Sequence, residues 1–139
     1  MSQHKIAIEI PHLRLAEIRL LSLSYRAATA EPLLYSEPEI TVKGSIRYSF
    51  YARRKNSFKV RVTQEIKAEG VSFRVRHKVR LTSDAAITSG LFDDDAFHNY
   101  VVNMIIPFGS ELFAILTGKT FDGPILTAGQ VTGKGKTEE

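Results

Sequence analysis

Cysteine is absent from the 139-residue sequence, which excludes a disulfide scaffold, a thiolate zinc site and a cysteine nucleophile. Long apolar runs are absent too, and none approaches the roughly 18 residues that a membrane-spanning helix needs. The first ten residues, MSQHKIAIEI, alternate in polarity and lack the apolar core of a secretory signal. These absences lead us to expect a cytoplasmic protein that does not insert into membranes.

The sequence also lacks the common signatures of enzymes and metal sites. It contains no phosphate-binding loop, no dinucleotide fingerprint and no nucleophile elbow. The four histidines never occur at metal-ligand spacing. The acidic run 93–95 lacks the glycine and the terminal glutamate of a calcium loop. We therefore expect a protein that is not an enzyme and has no catalytic residue, metal or cofactor.

The composition is that of an ordinary folded domain, with 43% hydrophobic and 24% charged residues. We assign residues 1–131 to a single domain and residues 132–139 to a flexible C-terminal tail. Apolar residues recur with period two over residues 5–82 and with helical period over residues 93–118. Strands followed by helices predict an α+β fold.

Alternation of apolar and polar residues predicts a four-stranded antiparallel sheet. Four segments alternate in this way: 15–25, 40–52, 58–68 and 71–81. The last two are joined by Glu69-Gly70, a pair suited to a tight turn. A turn there pairs residues whose numbers sum to 139, so that Phe58 faces Leu81 on the inward side. The first segment changes phase at 20–21, which predicts a β-bulge.

The helical segment follows the strands and contains a proline. The acidic run 93–95 suits the start of a helix. Pro107 interrupts the apolar periodicity, and we expect it to begin a second helix that ends near Gly118. The fold that we predict is a four-stranded antiparallel sheet with a proline-interrupted C-terminal helical segment on one face.

The outer face of the predicted sheet has an excess of positive charge. In the predicted register Lys59 faces Arg80, and Arg61 faces Lys78, although adjacent like charges repel each other. This face is either a solvated surface or a docking surface for an acidic partner. The residues that we assign to docking are Arg61, Arg74, Arg76, Lys78 and Arg80. Tyr51 is the only aromatic residue on this face in the three clearest strands, which argues against nucleic-acid binding through stacked bases.

Two other features each have two interpretations. Gln64 and His77 interrupt the inward face as diagonal neighbours. They are either a hydrogen-bonded polar pair in the core or at a subunit contact, or a catalytic or ligand-binding pair. The first interpretation is favoured because neither has a nearby nucleophile or carboxylate in the pattern. The apolar triplet 33–35, in a polar loop, either folds over the core or lines a groove for a partner.

The segment that begins at Ile105 reads IIPFGSELFAILTGKTFDGPILTAG. It resembles the C-terminal half of SecB, the bacterial export chaperone, in which a helix begins at a proline–aromatic pair, carries a glutamate and ends in a Gly-x-Thr-Phe stretch. The matching positions here are Pro107-Phe108, Glu111, Gly118, Thr120-Phe121 and Ile125-Leu126. The order of strands, proline-containing loop and helix is also similar over residues 13–130.

The resemblance implies a SecB-like fold that assembles into a homotetramer, a dimer of dimers. It implies ATP-independent binding of unfolded or nascent polypeptides in apolar grooves, and a role in protein transport. The residues implied to line the groove are Leu33, Leu34, Tyr35, Leu112, Phe113 and Leu116. SecB docks SecA through acidic residues on the outer sheet face. Because the corresponding face here is basic, we expect a function without SecA docking, for a dedicated client such as an antitoxin or for nascent chains in general.

Two other classes of function compete with the chaperone. One is a nucleic-acid-binding module that uses the basic face, which salt-dependent binding of oligonucleotides would reveal. The other is an adaptor subunit whose apolar loop is permanently buried in a complex. An adaptor would have no open groove and would not bind unfolded polypeptides.

Overall fold

The protein is described by a computed structural model for residues 9–27, 42–68, 70–120 and 136–137. Its secondary structure is β1 (Leu13–Ala27), β2 (Val42–Tyr51), β3 (Ser57–Ala68), β4 (Val71–Ser83), a 3-10 turn (Ser89–Asp93), α1 (Asp95–Thr120) and β5 (Lys136–Thr137). The predicted order, with strands first and helix last, is confirmed.

The strands form one sheet in the order β1-β4-β3-β2-β5. The first four are antiparallel, as predicted, whereas β5 pairs parallel with β2 at Arg47 and Tyr48. This two-residue strand was not predicted, and it lies within the segment 132–139 that we expected to be flexible. The division into a domain and a tail stays a prediction, since the rest of that segment lies outside the described residues.

The predicted strand register is confirmed. Phe58 pairs with Leu81 across β3 and β4, and every pair in this hairpin sums to 139. Burial alternates along β4, which gives an inner apolar face and an outer polar face. β1 contains the predicted bulge between Leu20 and Ser22, and a second register shift between Leu15 and Glu17. Each bulge shifts the alternation by one residue. The apolar residues before and after it, such as Leu20 and Leu23, therefore lie on the same inner face.

The prediction of a second helix at Pro107 is wrong, because α1 continues through it as one helix. An interior proline costs about 3 kcal/mol. Packing on both sides of it outweighs that cost: Ile105 before the proline and Phe113 after it are both buried. α1 ends at Thr120, two residues beyond the end that we expected at Gly118. The expected acidic start is confirmed, since the carboxylate of Asp94 accepts a hydrogen bond of 3.0 Å from the backbone N–H of Phe97.

α1 packs across the inner face over two apolar clusters. The larger cluster surrounds Phe58, whose ring centroid lies 5.7 Å from that of Phe97. The smaller cluster is built on Phe73 and Phe113, with centroids 5.3 Å apart. By length and apolar composition α1 could span a bilayer, a property that core helices of globular proteins share. Here its sheet-facing residues are buried against the strands.

A chain of hydrogen bonds fixes the start of α1 on β2. Tyr48 Oη lies 2.7 Å from His98 Nδ1, and His98 Nε2 lies 2.6 Å from the carbonyl oxygen of Phe92. Since a carbonyl only accepts, Nε2 carries the proton, and Nδ1 accepts from the tyrosine hydroxyl. Burial, and secondarily the charge of Asp95, raise the pKa of Tyr48 above its ordinary value. The hydroxyl therefore stays protonated and donates.

Candidate functional site

Large apolar side chains are exposed in the middle of β1 and on α1. The exposed fractions are 53% for Leu20, 46% for Leu21 and 39% for Leu23 on β1, and 38% for Phe108 and 48% for Ile115 on α1. These five are the large apolar residues that are exposed in the described part of the chain. We call them the apolar surface.

The path of α1 explains why β1 is exposed. Leu23 pairs with Val75 of β4, on the face that α1 covers. A Cβ added at Gly109 would overlap Gln64 Oε1 of β3 and lie 3.1 Å from Val75 Cγ1 of β4, so the helix backbone passes over these two strands. The edge strand lies about 4.8 Å farther out. Leu20 and Leu23 therefore point toward the helix side of the sheet and remain largely exposed there.

The flank of α1 nearest β1 is also apolar. Leu112 and Leu116 are half-buried and pack on the smaller cluster together with Tyr25 and Ala27 of β1. Phe108 lies one helical turn before Leu112, so it is on the same flank. Apolar side chains of α1 and of the end of β1 thus pack on one cluster. Large exposed apolar residues on adjoining elements are typical of a surface that another polypeptide covers.

The residues implied by the resemblance are distributed unevenly over this region. Leu112 and Leu116 are half-buried and pack on the smaller cluster. Phe113 has no exposed surface, because its ring packs on Phe73 between the helix and the sheet. It therefore belongs to the core and is not accessible to a client. The loop residues 33–35 lie outside the described residues. The assignment of these six residues to a groove stays a prediction.

Sequence reasoning missed the contribution of β1. The alternation placed Leu20, Leu21 and Leu23 in a strand, and the bulge at 20–21 was visible as a change of phase. That phase change was the available signal, because β-bulges are frequent in edge strands and next to functional sites. Phe108 and Ile115 lie in the segment 93–118 with helical periodicity, but the sequence did not assign them to the site.

The buried polar residues on the inner face join the sheet to the helix. Gln64 pairs with Val75 and His77 pairs with Val62, so the predicted diagonal arrangement is confirmed. Gln64 Nε2 donates a hydrogen bond of 3.4 Å to Ser110 Oγ on α1. Burial lowers the pKa of His77, which favours its neutral form. This geometry supports the interpretation of Gln64 as a satisfied core residue.

Within the described ranges, no group of three His, Asp or Glu residues could hold a metal ion.

The outer face carries the basic residues in the predicted register. Lys59 pairs with Arg80, and Arg61 pairs with Lys78. The five residues assigned to docking all lie on this face: Arg61, Arg74, Arg76, Lys78 and Arg80. The guanidinium of Arg61 lies 5.2 Å from the centre of the Tyr51 ring, whose hydroxyl is buried. The docking role of this face stays a prediction.

The architecture of this chain occurs in solved structures of other proteins. No family model matches the sequence, and no curated protein matches it. Among solved structures, a SecB-like chaperone of Mycobacterium tuberculosis, in complex with a ChAD peptide from the HigA1 antitoxin, matches with a TM-score of 0.63. The match covers 84% of this chain and 89% of that chain, at 15% sequence identity. The fold is SecB-like. This finding confirms the predicted resemblance at the level of structure.

A second solved structure has a related arrangement. It is a protein of unknown function from Streptococcus agalactiae, which matches with a TM-score of 0.55 and 10% identity. The match covers 86% of this chain and 98% of that chain. Because both identities are low, the comparisons establish the fold, and the function must be argued from the surface of this chain.

Proposed function

We propose that this SecB-like protein is an ATP-independent chaperone that binds unfolded or nascent polypeptides on the apolar surface. The observation that carries the proposal is the exposure of five large apolar side chains along β1 and α1. A solved structure with the same fold is described as a chaperone in complex with a peptide, which supports a role in binding polypeptides.

The chemistry of the region suits an unfolded chain. Unfolded polypeptides expose apolar side chains, which gain free energy when they are buried against leucine and phenylalanine. They also have unpaired backbone groups, which can pair with the edge of a sheet. β1 is an edge strand that pairs with β4 alone among the described strands, and an edge strand can add a further strand on its other side. A client could therefore gain both apolar contacts and backbone hydrogen bonds.

The proposal extends to assembly and location. We infer a homotetramer built as a dimer of dimers, working in the cytoplasm in protein transport or in the protection of a dedicated client. The basic outer face favours a mode of action without SecA docking, because docking there depends on acidic residues in SecB. An antitoxin is one client that fits, and a general role with nascent chains is the other.

Substitution of two leucines tests the proposal. The variant Leu20→Ser/Leu23→Ser removes apolar surface, and Leu20→Met/Leu23→Met is the matched control that keeps it. Full burial of a leucine contributes about 1.5–3 kcal/mol, and these side chains are about half exposed. The serine variant should therefore lose about 2 kcal/mol of client binding, or about thirtyfold in Kd. The methionine variant should bind within about threefold of the wild type.

The client in this experiment is fluorescein-labelled α-lactalbumin that has been reduced and carboxymethylated, so that it stays unfolded. Binding is followed by fluorescence anisotropy without nucleotide, and light scattering gives the mass of each variant. An unchanged Kd for the serine variant would remove β1 from the site. A change in mass with unchanged client affinity would assign the apolar surface to a subunit contact. The same titration with Leu34→Ser/Tyr35→Ser tests the loop that the sequence implicates.

A further inference from the structure

Positive charge is segregated onto the outer face of the sheet. The outward positions of β1 to β4 hold twelve of the 19 Lys and Arg residues, but only two of the 15 Asp and Glu residues. The face therefore has a formal charge of +10, whereas the whole chain has +4. The rest of the chain is net acidic. A field of this size on one face attracts an anionic partner.

The centre of this face consists of cations that have no acidic partner among the residues that the structure describes. We define the cationic cluster as five residues: Lys59, Arg61, Arg76, Lys78 and Arg80. Lys59 adjoins Arg80 and Arg61 adjoins Lys78 in the register. None of the five has a carboxylate within 4 Å among the described residues. Arg76 Nε is, in addition, buried without a hydrogen-bond partner in the described part of the chain.

One carboxylate on this face, that of Glu65, is bound by arginines of the two neighbouring strands. Glu65 Oε1 lies 3.2 Å from Arg47 Nη2 on one neighbouring strand and 3.4 Å from Arg74 Nε on the other. One carboxylate is thus bound between guanidinium groups of two strands. Farther along β3 and β4 the cations Arg61 and Lys78 are paired without an acid between them, and Glu17, which adjoins Arg80, is ion-paired with Arg19 instead. Carboxylates from another molecule could complete them.

The spacing of the cluster matches an extended acidic chain. Arg76, Lys78 and Arg80 alternate along β4, so consecutive members lie about 6.7 Å apart. Side chains at alternate positions of an extended polypeptide have the same spacing. We propose that the cationic cluster docks an extended acidic polypeptide segment, with carboxylates of alternate residues over Arg76, Lys78 and Arg80.

Single-stranded nucleic acid fits this face less well. Proteins that bind single strands combine basic groups with aromatic rings on which the bases stack. The aromatic residue on this face in β2 is Tyr51, and its ring lies beside the guanidinium of Arg61 with its hydroxyl buried. Carboxylate binding needs no stacking platform. The charge and spacing therefore favour an acidic polypeptide.

Peptide binding to matched variants tests the proposal. The probe is a fluorescein-labelled twelve-residue peptide of alternating Glu and Ser, titrated by anisotropy at low and moderate salt. The variant Arg76→Gln/Lys78→Gln/Arg80→Gln neutralises the cluster. The matched control, Arg54→Gln/Lys55→Gln/Lys119→Gln, removes the same charge from exposed positions elsewhere. We expect the cluster variant to weaken binding about tenfold and the control to stay within about twofold.

Three outcomes would overturn the proposal. Equal loss in both variants would mean that net charge alone attracts the peptide. Equal affinity for a block peptide, six Glu followed by six Ser, would contradict the alternating geometry. Tighter, cluster-dependent binding of a twelve-nucleotide RNA or a twelve-base-pair duplex would assign the face to nucleic acid. Retention of the fold is checked by circular dichroism. Because α-lactalbumin binding by the same variants is measured separately, failure here is distinguishable from failure of the chaperone proposal.

Discussion

A Gly109→Ala substitution tests how closely α1 packs on the sheet. The added Cβ would overlap Gln64 Oε1, and it would lie 2.9 Å from Gln64 Cδ and 3.1 Å from Val75 Cγ1. Gln64 is the more mobile of the two side chains, so it must rotate away. Rotation breaks its 3.4 Å hydrogen bond to Ser110 and leaves a buried amide without a partner.

The expected magnitude follows from three opposing contributions. Alanine in a helix interior is about 1 kcal/mol more favourable than glycine. Overpacking of a filled interface costs about 1–3 kcal/mol, and an unsatisfied buried amide costs about 1–3 kcal/mol. The packing costs therefore exceed the gain in helix propensity. We expect Gly109→Ala to lower the free energy of unfolding by about 2 kcal/mol.

Urea denaturation of five proteins measures this effect. They are the wild type, Gly109→Ala, Gln64→Ala, Gly109→Ala/Gln64→Ala, and the control Gly90→Ala, whose Cβ would meet nothing within 4 Å. Removal of the Gln64 side chain should relieve the overlap, so the double variant should be more stable than the sum of the single effects by about 1 kcal/mol. A Gly109→Ala protein as stable as the wild type would refute the close approach of α1 to β3 and β4.

Two further substitutions test the local geometry. Asp94→Ala should lower the free energy of unfolding by about 1 kcal/mol, because it removes the cap on the Phe97 N–H. The control Asp93→Ala should leave it unchanged. Equal effects of the two substitutions in urea denaturation would contradict the cap. Because burial lowers the pKa of His77, the unfolded chain binds the proton more readily, and stability should fall as pH drops below about 6.5. His77→Gln should flatten this slope between pH 7 and pH 5, and an unchanged slope would assign it to other groups.

The register of the sheet could be predicted because it depends on local features. A two-residue turn and a period of two fix which residues face each other, and these two features alone place Arg61 opposite Lys78. The basic outer face follows from the same arithmetic. The bulge at Leu20 could be predicted because a slip of one residue reverses the faces.

Features that depend on tertiary packing could not be predicted in this way. The local rule for Pro107 indicated a break, but the buried residues on both sides hold α1 together. The exposure of Leu20 and Leu23 depends on where the helix crosses the sheet, which no local period encodes. β5 escaped prediction because Lys136 and Thr137 form a strand too short to show alternation.

Light scattering with and without an unfolded client tests the chaperone proposal most directly. The protein alone should have a mass near four times the 15.6 kDa of one chain. Addition of reduced, carboxymethylated α-lactalbumin, without ATP, should raise the mass by a stoichiometric amount of client. Leu20→Ser/Leu23→Ser should reduce that gain, and Leu20→Met/Leu23→Met should preserve it. A monomer whose mass does not change with client would contradict the proposal.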